Sequence, residues 1–133
     1  MWFPVVLILS FALLQSAGAA IGDDYDRVDS TYGDVVKRHL NDDGSVIMTY
    51  KKDPYLFHVL FKNLQSVSEE YLRTDGKDLS NREIQRFLKA NGRDWIADGK
   101  NAKKWHRSDG RLVAEILDSD NGRGLSIHRA GRR

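Results

Sequence analysis

The chain has 133 residues, no cysteine and a net charge of +2, with 41% hydrophobic and 30% charged residues. Without cysteine there is no disulfide framework or thiol chemistry, so the core must be stabilised by burial alone, or by a partner, a metal or oligomerisation. Basic and acidic residues are mixed along the sequence, and no basic stripe of the kind that binds nucleic acid is found. The composition therefore predicts one globular domain whose partner is not a nucleic acid.

The first twenty residues have the pattern of a secretory signal peptide. A nearly unbroken apolar run over residues 5–14 is followed by small residues up to Ala20, as a peptidase cleavage site requires. The run is too short to span a bilayer, so we expect no transmembrane anchor. Cleavage after Ala19 or Ala20 satisfies the small-residue rule. We expect a secreted, extracellular protein whose mature chain begins near Ile21.

The start of the mature chain is acidic. Residues 21–33 are rich in aspartate and have no hydrophobic period, which predicts a flexible lead-in. Val35, Val36, His39 and Leu40 then have helical spacing and predict a short helix. Residues 45–51 are rich in β-formers and predict a strand.

The strongest helical pattern covers residues 54–73. Asp53 is a good N-cap residue, and Pro54 suits the first helical turn. Apolar residues recur every three or four positions, at Leu56, Leu60, Leu64, Val67 and Tyr71. A second helix is predicted to start at Ser80, with Glu83 completing a capping box and Gly92 ending it. Together the two helices predict a helix-loop-helix.

After the second helix, short apolar runs alternate with Asp-Gly and Asn-Gly dipeptides. Residues 105–107, 111–117 and 125–129 are predicted to form three strands joined by tight turns, although a helix over residues 112–117 is an alternative. The predicted fold class is α+β: a helix-loop-helix followed by a small antiparallel β meander. It forms a single domain over residues 34–130, with a basic tail at 131–133.

Two segments resemble the calcium-binding loop of the EF-hand family. In residues 72–83, Glu83 takes the place of the closing acid, but Leu72 stands where the first ligand belongs. In residues 118–129, Arg129 replaces the bidentate acid. A hard cation needs a complete cage of oxygen ligands. We therefore assign no metal or cofactor residues and keep a degenerate EF-hand-like protein as an alternative.

The C-terminal end resembles the amidation signal of neuropeptide and hormone precursors. Gly131, Arg132 and Arg133 follow an alanine, and trimming of the arginines would let the glycine donate its nitrogen as an amide. Lys37 and Arg38 offer an upstream dibasic cleavage site. A prohormone is therefore a second alternative, weighed against a basic tail that is simply frayed.

Two turn sequences match closely, Arg73-Thr-Asp-Gly-Lys77 and Arg107-Ser-Asp-Gly-Arg111. Their flanking residues differ, so common turn chemistry explains them better than an internal repeat. The aromatic clusters, such as Tyr71 with Phe87, are expected to pack in the core.

No catalytic motif is present in the sequence. The four histidines are scattered without metal-ligand spacing, and no nucleophile elbow or phosphate loop is found. Residues 21–76 carry a net charge of −4, with 7 basic and 11 acidic residues, whereas residues 77–133 carry +6, with 14 and 8. We expect a non-enzymatic protein that acts by surface interaction with an extracellular protein or a charged surface.

Overall fold

The computed structural model describes residues 19–131. The described chain contains two short helices and eight strands, in the order α1 (Tyr25–Tyr32), β1 (Val35–Leu40), β2 (Val46–Lys52), β3 (Tyr55–Lys62), β4 (Gln65–Arg73), α2 (Asn81–Ala90), β5 (Trp95–Asp98), β6 (Asn101–Arg107), β7 (Leu112–Ser119) and β8 (Gly122–Arg129).

All eight strands form one antiparallel sheet in the order β1-β2-β3-β4-β8-β7-β6-β5. Each half of the chain is a helix followed by a four-strand meander. The halves join where β4 pairs with β8, from Ser68 opposite His128 to Tyr71 opposite Leu125. This arrangement makes the sheet order symmetric about its centre.

Both helices pack on the same face of the sheet, which we call the covered face. The ring of Tyr32 in α1 stacks on Phe57 in β3, with centroids 3.9 Å apart. Phe87 in α2 stacks on Tyr71 in β4 at 4.4 Å and meets Phe57 edge-on. Aromatic rings bury much area per residue, so they account for a large part of a core without disulfides. The packing interpretation of Tyr71 with Phe87 is confirmed.

The second predicted helix is confirmed as α2. The Ser80 hydroxyl accepts from the Glu83 amide, and the Glu83 carboxylate accepts from the Ser80 amide, which completes the capping box. Ile84, Phe87 and Leu88 are buried, as their spacing predicts. Gly92 follows with a φ of 133°, a conformation that few other residues adopt.

The predicted helix over residues 54–73 is wrong, because this segment forms the β3–β4 hairpin. Asn63 and Leu64 have positive φ angles of 50° and 65° and form its turn. Residues four apart, such as Leu56 and Leu60, share a face of a strand as well as of a helix. The buried residues between them, Phe57 among them, alternate with period two, and this period defines the strand.

The fold class predicted from the sequence is therefore wrong as well. The structure is a single eight-stranded antiparallel sheet with two short helices, and not a helix-loop-helix followed by a small meander. The three strands predicted after α2 are present as β6, β7 and β8, but they form less than half of the sheet. The predicted strand over residues 45–51 corresponds to β2.

Two further corrections concern the N-terminal half. The segment expected to be a flexible lead-in contains α1, capped by the Asp24 carboxylate and anchored by buried Val28 and Tyr32. The predicted short helix over residues 35–40 is instead the edge strand β1, paired with β2. A strand whose residues are all exposed shows no buried periodicity, so its pattern could mimic a helix.

The two matching turns use the same hydrogen bonds. The Arg73 guanidinium donates to Asp75, whose carboxylate accepts from the Lys77 amide. Arg107 and Asp109 repeat this arrangement with the amide of Arg111. The first turn follows β4 and the second follows β6, so they are not equivalent positions of the two halves. The prediction of common turn chemistry is confirmed.

Candidate functional site

The face of the sheet opposite the helices is the candidate functional surface, and we call it the open face. One row of cross-strand neighbours runs over this face through all eight strands. Its members are His39, Ile47, Leu60, Ser68, His128, Val113, His106 and Ile96. Directly opposed residues lie on the same face of a sheet. Aliphatic and imidazole side chains, together with Ser68, therefore form one continuous band.

A second, more polar row lies beside the first. It runs through Lys37, Thr49, His58, Glu70, Ser126, Glu115 and Lys104. Between the two rows is a shallow concavity of about 330 Å³, lined by Ile47, His58, Leu60, Ser68 and Glu70. These five side chains are half-buried. The concavity can accept a small apolar or hydrogen-bonding group from a partner.

All four histidines of the chain belong to these two rows. The sequence shows them as scattered, because their spacing has meaning only once the strands are paired. The available signal was period two: His58 alternates with buried Phe57 and Val59, and His128 follows buried Ile127. Alternation of this kind places polar residues on the face that lacks a core.

The open face contains an imidazole–hydroxyl pair, in which Thr49 Oγ1 lies 2.9 Å from His58 Nδ1. In such a pair the hydroxyl can act as a nucleophile only if it can reach a bound substrate. Thr49 is only 7% exposed and does not line the concavity. Its hydroxyl therefore orients the imidazole ring and is not placed to attack a bound molecule.

The covered face holds a buried carboxylate, Glu69, with no exposed surface. Its Oε2 atom accepts hydrogen bonds from the hydroxyls of Tyr32, at 2.9 Å, and of Tyr71. Within residues 19–131, its Oε1 atom is buried without a hydrogen-bond partner. Burial raises the pKa of Glu69 to about 7, although the two tyrosine hydroxyls lower it. Unpaired buried carboxylates are uncommon, because desolvation penalises the charged form.

Hydrogen bonds connect this carboxylate to residues 19–23, which we call the N-terminal strap. Tyr32 Oη accepts from the Ala19 amide at 2.8 Å. On the other side, Tyr71 Oη accepts from Asn91 Nδ2 at 3.2 Å, and Asn91 Oδ1 accepts from the Ile21 amide at 2.8 Å. Two amides of the strap are thus linked to Glu69 through neighbouring side chains. No sequence pattern indicated this network.

The predicted processing residues lie in different parts of the molecule. Ala19 and Ala20 belong to the strap, and Ala19 is only 2% exposed. Lys37 and Arg38 lie within β1 and pair with β2. Gly131 is exposed at the end of the described chain. The remaining predicted residues, Arg132 and Arg133, lie outside the described residues, as does the signal segment before Ala19.

The two segments that resemble EF-hand loops are not preceded by a helix, as an EF-hand loop is. Residues 72–83 begin with the last two residues of the strand β4. The Glu83 carboxylate accepts hydrogen bonds from Arg73, at 2.9 Å, and from the Tyr55 hydroxyl. Residues 118–129 comprise the end of β7, the turn and β8. Across residues 19–131 there is no group of three or more His, Asp or Glu side chains arranged to hold a metal ion. Neither helix in that range is long and apolar enough to cross a membrane.

Basic side chains from the C-terminal half meet at one end of the sheet. Arg107, Arg111 and Arg129 line a cavity of about 510 Å³, which the strap residue Ile21 also borders. Arg107 is already engaged by Asp109 and by the Asn91 carbonyl oxygen. The predicted positive charge of this half is therefore partly used in internal contacts.

Comparison with known proteins assigns no family to this chain. No family model and no curated protein sequence matches the chain. Among solved structures, it is similar to a cysteine-rich secretory protein from Staphylococcus aureus, with 13% sequence identity, a TM-score of 0.49 and 81% of this chain covered. The chain spans 44% of the length of that chain.

Proposed function

We propose that the protein is exported and acts without catalysis, by surface interaction with an extracellular protein through its open face. The apolar run over residues 5–14 and the small residues up to Ala20 support export. The covered face is filled by helices and aromatic side chains and serves as the scaffold. The open face presents side chains that do not pack in the hydrophobic core.

The observation that carries the proposal is the continuous row across all eight strands. The aliphatic Ile47, Leu60 and Val113 flank the central pair of Ser68 and His128 in this row and are only half-buried. A partner that covers them removes apolar surface from water, which favours association. Protein interfaces typically have such an apolar centre with a polar rim, and here the polar row supplies one side of that rim.

The charges of the polar row favour a protein partner over a uniformly charged surface. Lys37 and Lys104 lie near its ends, whereas Glu70 and Glu115 lie within it. A surface with both signs of charge selects a complementary mixed surface and repels neither sign strongly. A polyanion would instead be met by uniformly basic side chains.

The folded domain is the proposed active form, in preference to a released peptide. A cut after Arg38 would fall inside β1, whose residues are paired with β2. The chain after that point contributes the other seven strands of the sheet. An amidated product starting there would therefore be nearly the whole domain without its first helix.

The proposal is tested with a matched pair of variants. Leu60→Asp places a charge in the centre of the row, whereas Leu40→Asp changes a leucine that is 67% exposed at the end of β1. Both secreted variants are first compared with the wild type by circular dichroism. Each is then immobilised and exposed to extracellular fluid from the source organism, and bound proteins are quantified by mass spectrometry.

We expect a protein that binds the wild type and Leu40→Asp and whose affinity for Leu60→Asp is lower by about tenfold or more, as for a central interface residue. Only a protein with this dependence counts as a partner. A partner that binds a folded Leu60→Asp variant equally well would contradict the role of the open face. Chemical conversion of the captured molecule would contradict the non-enzymatic assignment.

A further inference from the structure

The N-terminal strap is held closely against the core. In addition to the links through Tyr32 and Asn91, its Gly22 amide donates to the Ser66 carbonyl oxygen at 2.9 Å, and the Ser66 amide donates to the Asp23 carbonyl oxygen at the same distance. Ala19 belongs to the hydrophobic core. The strap is thus a structural part of the domain, and these contacts fix the position of the backbone nitrogen of Ala19.

Among residues 19–131, no positively charged side chain lies at the site that receives the Ala19 nitrogen. The groups that face Glu69 are the hydroxyls of Tyr32 from α1 and Tyr71 from β4, while Asp23 from the strap and Tyr50 from β2 lie near enough to interact electrostatically. Within residues 19–131, no Lys, Arg or His side chain pairs with Glu69. A buried carboxylate is normally paired with an opposite charge.

We propose that the leader is removed between Gly18 and Ala19, and that the α-ammonium group of Ala19 then becomes the counter-charge of Glu69. This inference rests on the proposed export. Water, activated by a signal peptidase, hydrolyses the peptide bond before Ala19. The released leader ends in the Gly18 carboxylate, and the domain begins with a protonated amine.

The distances support this position of the amine. The Ala19 nitrogen lies 2.8 Å from Tyr32 Oη, and that hydroxyl lies 2.9 Å from Glu69 Oε2. One hydroxyl group therefore separates the new charge from the carboxylate. An ammonium group has three hydrogen-bond donors where the amide has one. The ammonium group thus offers two more donors than the amide, one hydroxyl group away from a carboxylate whose Oε1 atom has no partner within residues 19–131.

The sequence permits this cleavage position as well as the two expected from the small-residue rule. Gly18 and Ser16 would precede the cut at the first and third positions, and both are small. A cut after Ala19 would remove a residue that is 2% exposed. It would place the ammonium group at Ala20, whose nitrogen lies 3.0 Å from Asp23 Oδ2, and Tyr32 would lose its bond from the strap.

Leader removal then has an energetic consequence for the fold. The precursor has a neutral amide at Ala19, so its Glu69 is buried without a counter-charge from residues 19–131. The cleaved chain has a buried pair in the same place. The domain is therefore stabilised by its own maturation, and the precursor is the less stable of the two at neutral pH.

The first experiment is the intact mass of the secreted product from cells expressing the full chain. A chain that begins at Ala19 supports the inference. A product that begins at Ala20 or Ile21 overturns it while leaving export intact. Retention of an uncut chain from Met1 inside the cells overturns both the inference and the proposed export.

The second experiment measures the effect of the charge. Two chains are released from a cleavable fusion, one beginning at Ala19 and one at Gly18, so that they differ by one glycine and by the position of the amine. Each is prepared as wild type, as Glu69→Gln and as Glu70→Gln. Glu70 is the matched control, because it is adjacent in β4 and faces the other side of the sheet.

We expect the unfolding equilibrium constant at pH 7.5 to be about tenfold or more lower for the chain that begins at Ala19, since an opposite charge shifts a carboxyl pKa by at least about one unit. This difference should disappear in Glu69→Gln and persist in Glu70→Gln. Equal stability of the two wild-type chains overturns the inference, and so does a difference that survives Glu69→Gln.

Discussion

Glu69 and Glu70 are adjacent in β4, yet they belong to different faces of the sheet. Glu69 is fully buried on the covered face and accepts hydrogen bonds from the hydroxyls of Tyr32 and Tyr71. Glu70 is half-buried on the open face beside His58. The same side chain thus serves the scaffold in one position and the surface in the next. Successive residues of a strand point in opposite directions, so a thin sheet can separate the two tasks.

The largest effect on the covered face is expected for Phe57→Ala. Phe57 is 1% exposed and contacts the rings of Tyr32, Tyr71 and Phe87. Loss of a buried phenylalanine costs about 3–5 kcal/mol. We expect the midpoint of urea unfolding to fall accordingly. A loss of less than about 1 kcal/mol would show that the aromatic cluster is not the core of the fold.

A smaller, pH-dependent effect is expected for Glu69→Gln in the chain that begins at Gly18. Burial raises the pKa of Glu69 from its usual 4.5 to about 7, so between these values the folded chain binds more protons than the unfolded chain. Its contribution to stability therefore falls as the pH rises from 4.5 to 7. The stability difference between wild type and variant should change by about 3 kcal/mol over this range.

The matched control for this prediction is Glu70→Gln, whose pH profile should run parallel to that of the wild type. Urea unfolding at several pH values gives both profiles. A pH profile of Glu69→Gln that also runs parallel to the wild type would mean that Glu69 is not sealed from water.

Removal of a helix cap should cost less. In Ser80→Ala the amide of Glu83 loses its acceptor, and such a loss costs about 1 kcal/mol. Ser108→Ala is the control, since Ser108 is exposed. The melting temperature should fall for the first variant and stay unchanged for the second. Equal melting temperatures would contradict the capping box as the determinant of where α2 begins.

The smallest effect on stability is expected for His106→Ala on the open face. His106 is exposed, and substitutions at such positions usually change stability by less than about 0.5 kcal/mol. Trp105→Ala, one residue earlier and packed against the core, should cost clearly more. Thermal unfolding of the two variants compares the two faces directly. A larger loss of stability for His106→Ala than for Trp105→Ala would contradict the assignment of His106 to the open face.

The sequence predicts local signals well where one residue decides the structure. Ser80 and Glu83 define the start of α2, and the Asn121–Gly122 turn indicates the β7–β8 hairpin. Prediction fails where one spacing fits both a helix and a strand. Leu56 and Leu60 in β3 are four residues apart and share a face in either structure. The Asn63–Leu64 turn has no glycine to indicate it, so the apolar spacing predicts one long helix where the structure has a hairpin.

The candidate sites were harder to predict because they depend on strand pairing. An irregularity in the β3–β4 register near Phe61 allows both Ser66 and Glu69 to be buried, although they are three residues apart. Simple alternation would place them on opposite faces. The row of histidines likewise requires the register of all the strands, which composition and spacing do not contain.

The central claim is that β4 and its neighbours separate a sealed scaffold face from an open face. It is tested by labelling the folded protein with a carbodiimide and an amine for carboxyl groups, and with diethyl pyrocarbonate for histidines, followed by tandem mass spectrometry. We expect modification of Glu70 and of His39, His58, His106 and His128, and none of Glu69. Equal labelling of Glu69 and Glu70, or protection of the histidines in the isolated protein, would contradict the claim.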